Sequence, residues 1–127
     1  MTDDAPAEML RARLRADLRA AMKAQRRDEM AALRTLIAAI DNAESVEDAS
    51  SPPLSSSEHV AGAVQGLGAA DAARRSLSEH DLQRIIEAEL WERDAQAERL
   101  TLLGRVDDAS RLRIEADVIA RYQFAAD

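Results

Sequence analysis

Residues 77–104 read LSEHDLQRIIEAELWERDAQAERLTLLG and contain both boundary signals of a long helix. Ser78 is a favourable N-cap residue, and Asp81 stands three positions later, where its carboxylate can bond back to the cap. Gly104 suits the left-handed position that follows the last turn of many helices. The stretch therefore predicts one helix, capped by Ser78 and running to about Leu103.

Two charged residues interrupt the apolar face of this predicted helix. At 100° per residue, that face collects Leu82, Ile85, Ile86, Leu90, Ala97, Leu100 and Leu103. Glu89 and Arg93 fall in its middle, four residues apart with the acid first, which is the favourable order for an ion pair. A charge on an apolar face needs a partner. Two interpretations remain open: a structural ion pair that fixes helix register, or a site carboxylate oriented by Arg93.

The opposite side of the same helix carries Trp91, with Ala88, Ala95 and Leu102 nearby in projection. A helix that is apolar on two faces is either central in its bundle or bears an interface. One interpretation is that the fourth helix or residues 58–75 cover Trp91. The other is a partner contact or homodimer interface that uses Trp91 and Leu102.

The N-terminal part of the chain predicts a hairpin of two helices over residues 6–45. Asp4 and Pro6 form a helix start. The apolar stripe of the first helix is Leu10, Leu14, Leu18, Ala21 and Met22, and that of the second is Met30, Leu33, Leu36, Ile37 and Ile40. Asp28 is the expected N-cap of the second helix.

The middle of the chain predicts a linker over residues 46–77, because Pro52 and Pro53 cannot lie inside a helix. A capping-box pattern at residues 55–58 predicts a short helix from Glu58 toward Gln65. After the linker, a second hairpin covers residues 78–123. Its second helix, the fourth of the chain, is expected to begin at Asp107 or Asp108 and to continue to about Tyr122.

Length and composition agree with a single helical domain over residues 1–127. The chain has four Gly, three Pro and no Cys among 127 residues, too few turn residues for an all-β protein and no thiol for disulfides or metal. We therefore predict an all-α fold: a small bundle of two helical hairpins, about four main helices, with a partly helical linker.

Charge is distributed unevenly. The chain carries a net −7, yet residues 10–34 hold eight bases and three acids, a local +5. Arg11, Arg15, Arg19 and Lys23 form one basic stripe on the first predicted helix. This stripe is the candidate surface for an anion such as tRNA. Alternatively, its members pair with nearby acids, because no aromatic residue is interleaved to stack on bases.

The sequence contains no pattern typical of catalysis or metal binding. His59 and His80 are isolated, and neither follows a glutamate by three residues as in di-iron bundles. No Walker loop, dinucleotide loop or serine elbow is present. We therefore predict no catalytic residue, no cofactor and no bound metal. The longest strongly apolar run is only Leu36–Ile40, so we expect no membrane span, no secretory signal and a cytoplasmic location.

Four separated segments resemble the GatB/YqeY family. Residues 33–44 (LRTLIAAIDNAE) are similar to its "LRxLxxAIxNAE" segment, and residues 20–24 (AAMKA) to its "DlkxAMKaxd" run. Residues 77–93 resemble its "LtexdvxxvixxExxeR" run, and residues 103–115 its "aGRxDlAxrlxxE" turn. The likeness covers about residues 9–122, in order.

The resemblance implies an all-helical domain related to the tail region of the GatB component of aspartyl/glutamyl-tRNA amidotransferase. In that enzyme, a carbon–nitrogen ligase with a glutamine amido donor, the amide chemistry lies elsewhere and the tail region helps to hold tRNA. The implied function is a non-catalytic accessory module associated with tRNA or with such an enzyme. Longer family members continue with "YLPxQLS" and a further helical module, whereas this sequence reads YQFAAD at residues 122–127.

Overall fold

The computed structural model describes residues 5–45 and 75–125, and helices account for most of them. The four helices are α1 (Ala5–Ala24), α2 (Arg27–Glu44), α3 (Glu79–Leu102) and α4 (Val106–Ala120). The described ranges contain no strand, and the predicted all-α bundle is confirmed. Asp4, His59 and the helix expected from Glu58 toward Gln65 lie outside these ranges.

The helices pack as two hairpins around a shared apolar core. α1 packs on α2 and α3 packs on α4, while α2 also contacts α4 and, less extensively, α3. The core consists of Ala7, Leu10, Leu14, Ala21, Ala32, Leu33, Leu36, Ile40, Leu77, Leu82, Ile86, Val118, Ile119 and Tyr122. α2 is thus the helix that joins the two hairpins, because its apolar side chains meet residues from all three others.

The shared core involves only part of α3. Leu82 and Ile86, in its N-terminal half, are fully buried there. Leu103 belongs to the predicted apolar face but is 67% exposed, because it lies at the far end of the hairpin. Met22, on the expected stripe of α1, is also about half exposed, at 47%. Helical periodicity predicts the direction in which a side chain points. It does not predict how far along the helix a neighbouring helix packs against that face.

The start of α3 agrees with the predicted capping box. The backbone N–H of Asp81 donates to Ser78 Oγ at 3.1 Å, and the N–H of Ser78 donates to Asp81 Oδ2 at 2.9 Å. The backbone hydrogen bond from Ser78 lowers the pKa of Asp81, helped by the charge of Arg75. Leu77, assigned to the linker by the sequence, is buried beside this cap, and Arg75 N–H donates to the carbonyl of Glu44 at 2.8 Å.

The predicted N-cap of α2, Asp28, is wrong, and α4 begins at Val106 and not at Asp107 or Asp108. The N-cap positions are occupied by Arg26 in α2 and by Arg105 in α4, whose guanidinium groups have no acceptor atom and make no capping hydrogen bond. Asp28 and Asp107 lie inside the first turn instead, where the positive end of the helix dipole stabilises their negative charge although they are not the N-cap residues. Acidic residues are common at both kinds of position, so the sequence does not distinguish them.

α1 and α3 end in the same way but with different residues. In each, a residue with positive φ lets the next N–H group bond back into the last turn. The N–H of Arg26 donates to Ala21 O at 2.9 Å in α1, and the N–H of Arg105 donates to Leu100 O at 2.8 Å in α3. Gly104 occupies this position with φ +81°, as predicted, whereas α1 uses Gln25 with φ +58°.

Substitutions at these two positions are expected to have opposite effects on stability. Gln25→Gly should raise the free energy of unfolding by about 0.5 kcal/mol, because glycine adopts positive φ without a Cβ penalty. Gly104→Ala should lower it by about 1 kcal/mol through the backbone alone, since an added Cβ would meet no atom within 4 Å. Urea unfolding followed by circular dichroism measures both, and changes of the same sign would contradict the assignment.

Candidate functional site

The exposed basic surface of α1 is smaller than the sequence predicted. Arg15, Arg19 and Lys23 are all exposed and recur every four residues along one side of the helix. They span about 12 Å of helix length, or roughly two turns. We call these three residues the α1 basic surface. Its spacing suits contact with successive negative groups of an extended anionic partner.

Arg11, the fourth member of the predicted stripe, has a structural role instead. Its side chain is only 14% exposed, with Nη2 at 2.7 Å from Glu44 Oε1 and 3.1 Å from Asp41 Oδ1. Burial alone would lower the pKa of Arg11, but the hydrogen bond and charge of Glu44, with those of Asp41, raise it. Arg11 therefore joins α1 to the C-terminal end of α2 and does not present its charge to a partner.

A second contact fixes the segment after α4 against α1. Tyr122, buried in the core, donates its hydroxyl to Asp17 Oδ2 at 2.5 Å, and the Arg13 guanidinium lies 4.6 Å from the centre of its ring. Burial and the Asp17 carboxylate raise the pKa of Tyr122, so the phenol stays protonated. No local pattern indicates this cluster, because Asp17 and Tyr122 are 105 residues apart in the chain.

The charged pair on the apolar face of α3 is part of a three-residue cluster. Arg93 is buried, with Nη1 at 2.7 Å from Glu89 Oε1 and Nε at 3.1 Å from Glu115 Oε1 on α4. Nη1 also lies 3.2 Å from the Glu89 backbone oxygen. The guanidinium thus cross-links the two helices of the second hairpin. Glu115 was missed by sequence reasoning, because helical spacing identifies partners only within one helix.

This cluster does not resemble a catalytic site. Both carboxylates face the same guanidinium, which keeps them occupied as acceptors. Glu89 also borders a shallow groove between α2 and α3, but its neighbours there are mostly small, among them Ala38, Ala39 and Ala88. The arrangement suits the structural interpretation of Glu89 and Arg93 better than a site carboxylate oriented by Arg93.

Among residues 5–45 and 75–125, nothing packs on the side of α3 that carries Trp91 and Leu102, which we call the Trp91 face. Trp91 is 73% exposed and Leu102 is 87% exposed. α4 packs on the other side of α3, where Arg93 and Ala97 are buried, and therefore does not cover Trp91. Residues 58–74, the other expected cover, lie outside the described ranges. Leu103 and Val106 extend the exposed apolar surface around the hairpin turn.

No group of three or more potential metal ligands occurs among residues 5–45 and 75–125. His80 is exposed in the first turn of α3. No helix in the described part of the chain is both long enough and apolar enough to cross a bilayer. Two surfaces therefore stand out as candidates for binding: the α1 basic surface and the Trp91 face of α3. No protein-family model, curated protein or solved structure matches the chain.

Proposed function

We propose that this chain is a non-catalytic helical accessory module that associates with tRNA, or with a tRNA-dependent amidotransferase of the carbon–nitrogen ligase type. The observation that supports this most is the α1 basic surface, where Arg15, Arg19 and Lys23 are exposed on one side of one helix. The resemblance to the GatB/YqeY family points to the same class of partner. The proposal includes a cytoplasmic location, where such a partner is found.

Charge limits how tRNA could bind. Residues 10–34 carry a net +5 and the remainder of the chain a net −12, so most of the surface would repel phosphate. A polyanion would therefore approach along α1. Because only three cations would each contact one phosphate, we expect tRNA binding that is weak and strongly salt-dependent.

Charge reversal tests the proposal. Binding of a labelled bulk tRNA mixture is measured against salt concentration for wild type and for the variant Arg15→Glu, Arg19→Glu, Lys23→Glu. We expect the variant to lose most of the affinity and the slope of log K against log salt to shrink by up to about 3. The matched control is Arg99→Glu, Arg111→Glu, Arg113→Glu, which changes net charge equally at exposed positions of α3 and α4.

The proposal fails if wild type shows no salt-dependent binding, or if both triple variants lose affinity equally. Pull-down from lysate with and without nuclease separates the two forms of the proposal. A nuclease-sensitive complex supports tRNA as the direct partner, whereas a nuclease-resistant amidotransferase supports association through protein.

The second candidate is a protein–protein interaction or homodimerisation domain that uses the Trp91 face. The observation that favours it is the exposure of Trp91 and Leu102 on the same side of α3. Tryptophan is among the residues most often found at the energetic centre of protein interfaces, and an exposed patch of several apolar side chains often marks an interaction site.

A further inference from the structure

We propose that α3 pairs antiparallel with α3 of a second copy of this chain, across a twofold axis at Trp91. This inference rests on the second candidate function and deepens it, because it names the partner, the orientation and the residues that pair. It concerns the outer face of α3, which is open in the described structure, and leaves the α1 basic surface free.

Two of the charges on this face, which also carries Glu87 and Asp94, are arranged for self-pairing. Arg84 lies seven residues before Trp91 and Glu98 seven residues after it. Seven residues make almost two helical turns, so all three side chains lie on the same side of α3. In an antiparallel pair centred on Trp91, Arg84 of each copy faces Glu98 of the other. A twofold axis repeats the contact, which gives two complementary ion pairs in one interface.

Both charges lie at exposed positions of α3. Arg84 and Glu98 are exposed, and no ion pair within residues 5–45 and 75–125 engages either of them. A parallel, in-register pairing would place Arg84 against Arg84 and Glu98 against Glu98, which is repulsive. The charge pattern therefore selects the antiparallel orientation.

The two alanines next to Trp91 leave room for a second indole. Ala88 and Ala95 lie three residues before and four residues after Trp91, close to it on the helix surface. Their small size lets two helices approach closely and lets each indole pack on the partner's alanines. A contact between single helices buries less than the roughly 1,200 Å² of a standard interface, so the dimer should dissociate in the micromolar range or weaker.

A charge swap between two variants tests the dimer. Arg84→Glu and Glu98→Arg each convert both ion pairs into like-charge contacts, so each variant alone should dimerise at least about tenfold more weakly than wild type. Mixed together, they restore two opposite-charge contacts and should form a heterodimer. Sedimentation velocity at chain concentrations up to about 1 mM measures all three samples, and circular dichroism confirms that each variant folds.

Matched controls are Arg113→Glu on α4 and Glu8→Arg on α1, which make the same charge changes at exposed positions away from Trp91. They should dimerise like wild type. The proposal is overturned if wild type stays monomeric, if the two variants dimerise as wild type does, or if their mixture does not pair. If wild type is monomeric but Trp91→Ala releases a different protein captured from lysate, the protein-interaction function stands and only the self-pairing fails.

Discussion

Replacing Glu89 and Glu115 together by Gln should lower the free energy of unfolding by about 3 kcal/mol. Removing both charges leaves the Arg93 guanidinium buried without a counter-charge, and breaking a buried ion pair in this way typically costs about 3–5 kcal/mol. We take the lower end because the Arg93 side chain is still 9% exposed and because Gln keeps a neutral acceptor. Urea unfolding followed by circular dichroism at 222 nm gives the change.

Each single substitution should cost much less. With Glu89→Gln alone, Glu115 stays 3.1 Å from the Arg93 Nε and the cation remains paired, so we expect a loss of about 1 kcal/mol. The double loss then exceeds the sum of the singles, as for residues that share a partner. Glu92→Gln, at an exposed position of α3, is the control and should change stability by less than about 0.5 kcal/mol.

Adding Arg93→Met to the double variant should recover most of the lost stability, because no uncompensated charge remains in the hairpin. An unchanged denaturation midpoint for the double variant would mean that the three-residue cluster contributes nothing to the hairpin. It would also leave the position of these charges on an apolar face without a physical reason.

Leu33→Ala should lower the free energy of unfolding by about 3 kcal/mol. Leu33 is fully buried on α2, the helix whose contacts join both hairpins, and truncation removes apolar burial and leaves a cavity. Since domains of this kind are stable by only about 5–15 kcal/mol, the loss should be visible as a much lower melting temperature.

The matched control is Leu102→Ala. The same atoms are removed from a side chain that is 87% exposed, so stability should change by less than about 0.5 kcal/mol. If Leu102→Ala proved as costly as Leu33→Ala, the outer face of α3 would have to be covered in solution, and dilution would distinguish coverage by a second copy from coverage within the chain.

Local signals predicted the helices well. Ser78 caps α3 and Gly104 ends it, as their chemistry requires. Asp28 and Asp107 misled the placement of two helix starts by one or two residues, because a carboxylate is favourable both at the cap and inside the first turn. The sequence predicted a break between α1 and α2 near Gln25, but not the positive φ of this residue, since glutamine has no preference for that conformation.

The candidate binding surfaces were only partly predictable. Periodicity placed the α1 basic surface and Trp91 on outward-facing sides of their helices, but it could not show that Arg11 turns to Glu44, on the next helix of the chain. It also could not choose between a covered and an open Trp91. α4 leaves Trp91 uncovered because it packs on the other side of α3, and residues 58–74, the other predicted cover, lie outside the described residues.

The sequence by itself determined the helical class, the two hairpins and the faces of each helix, because capping residues and a 3.6-residue period act over a few positions. Only the tertiary structure decided which charged side chains form ion pairs inside the bundle and which stay exposed. Glu115 completes the Arg93 cluster and Tyr122 closes on Asp17 from distant parts of the chain. Contacts between residues so far apart in the chain depend on how whole helices pack, and the spacing of residues within one helix does not predict them.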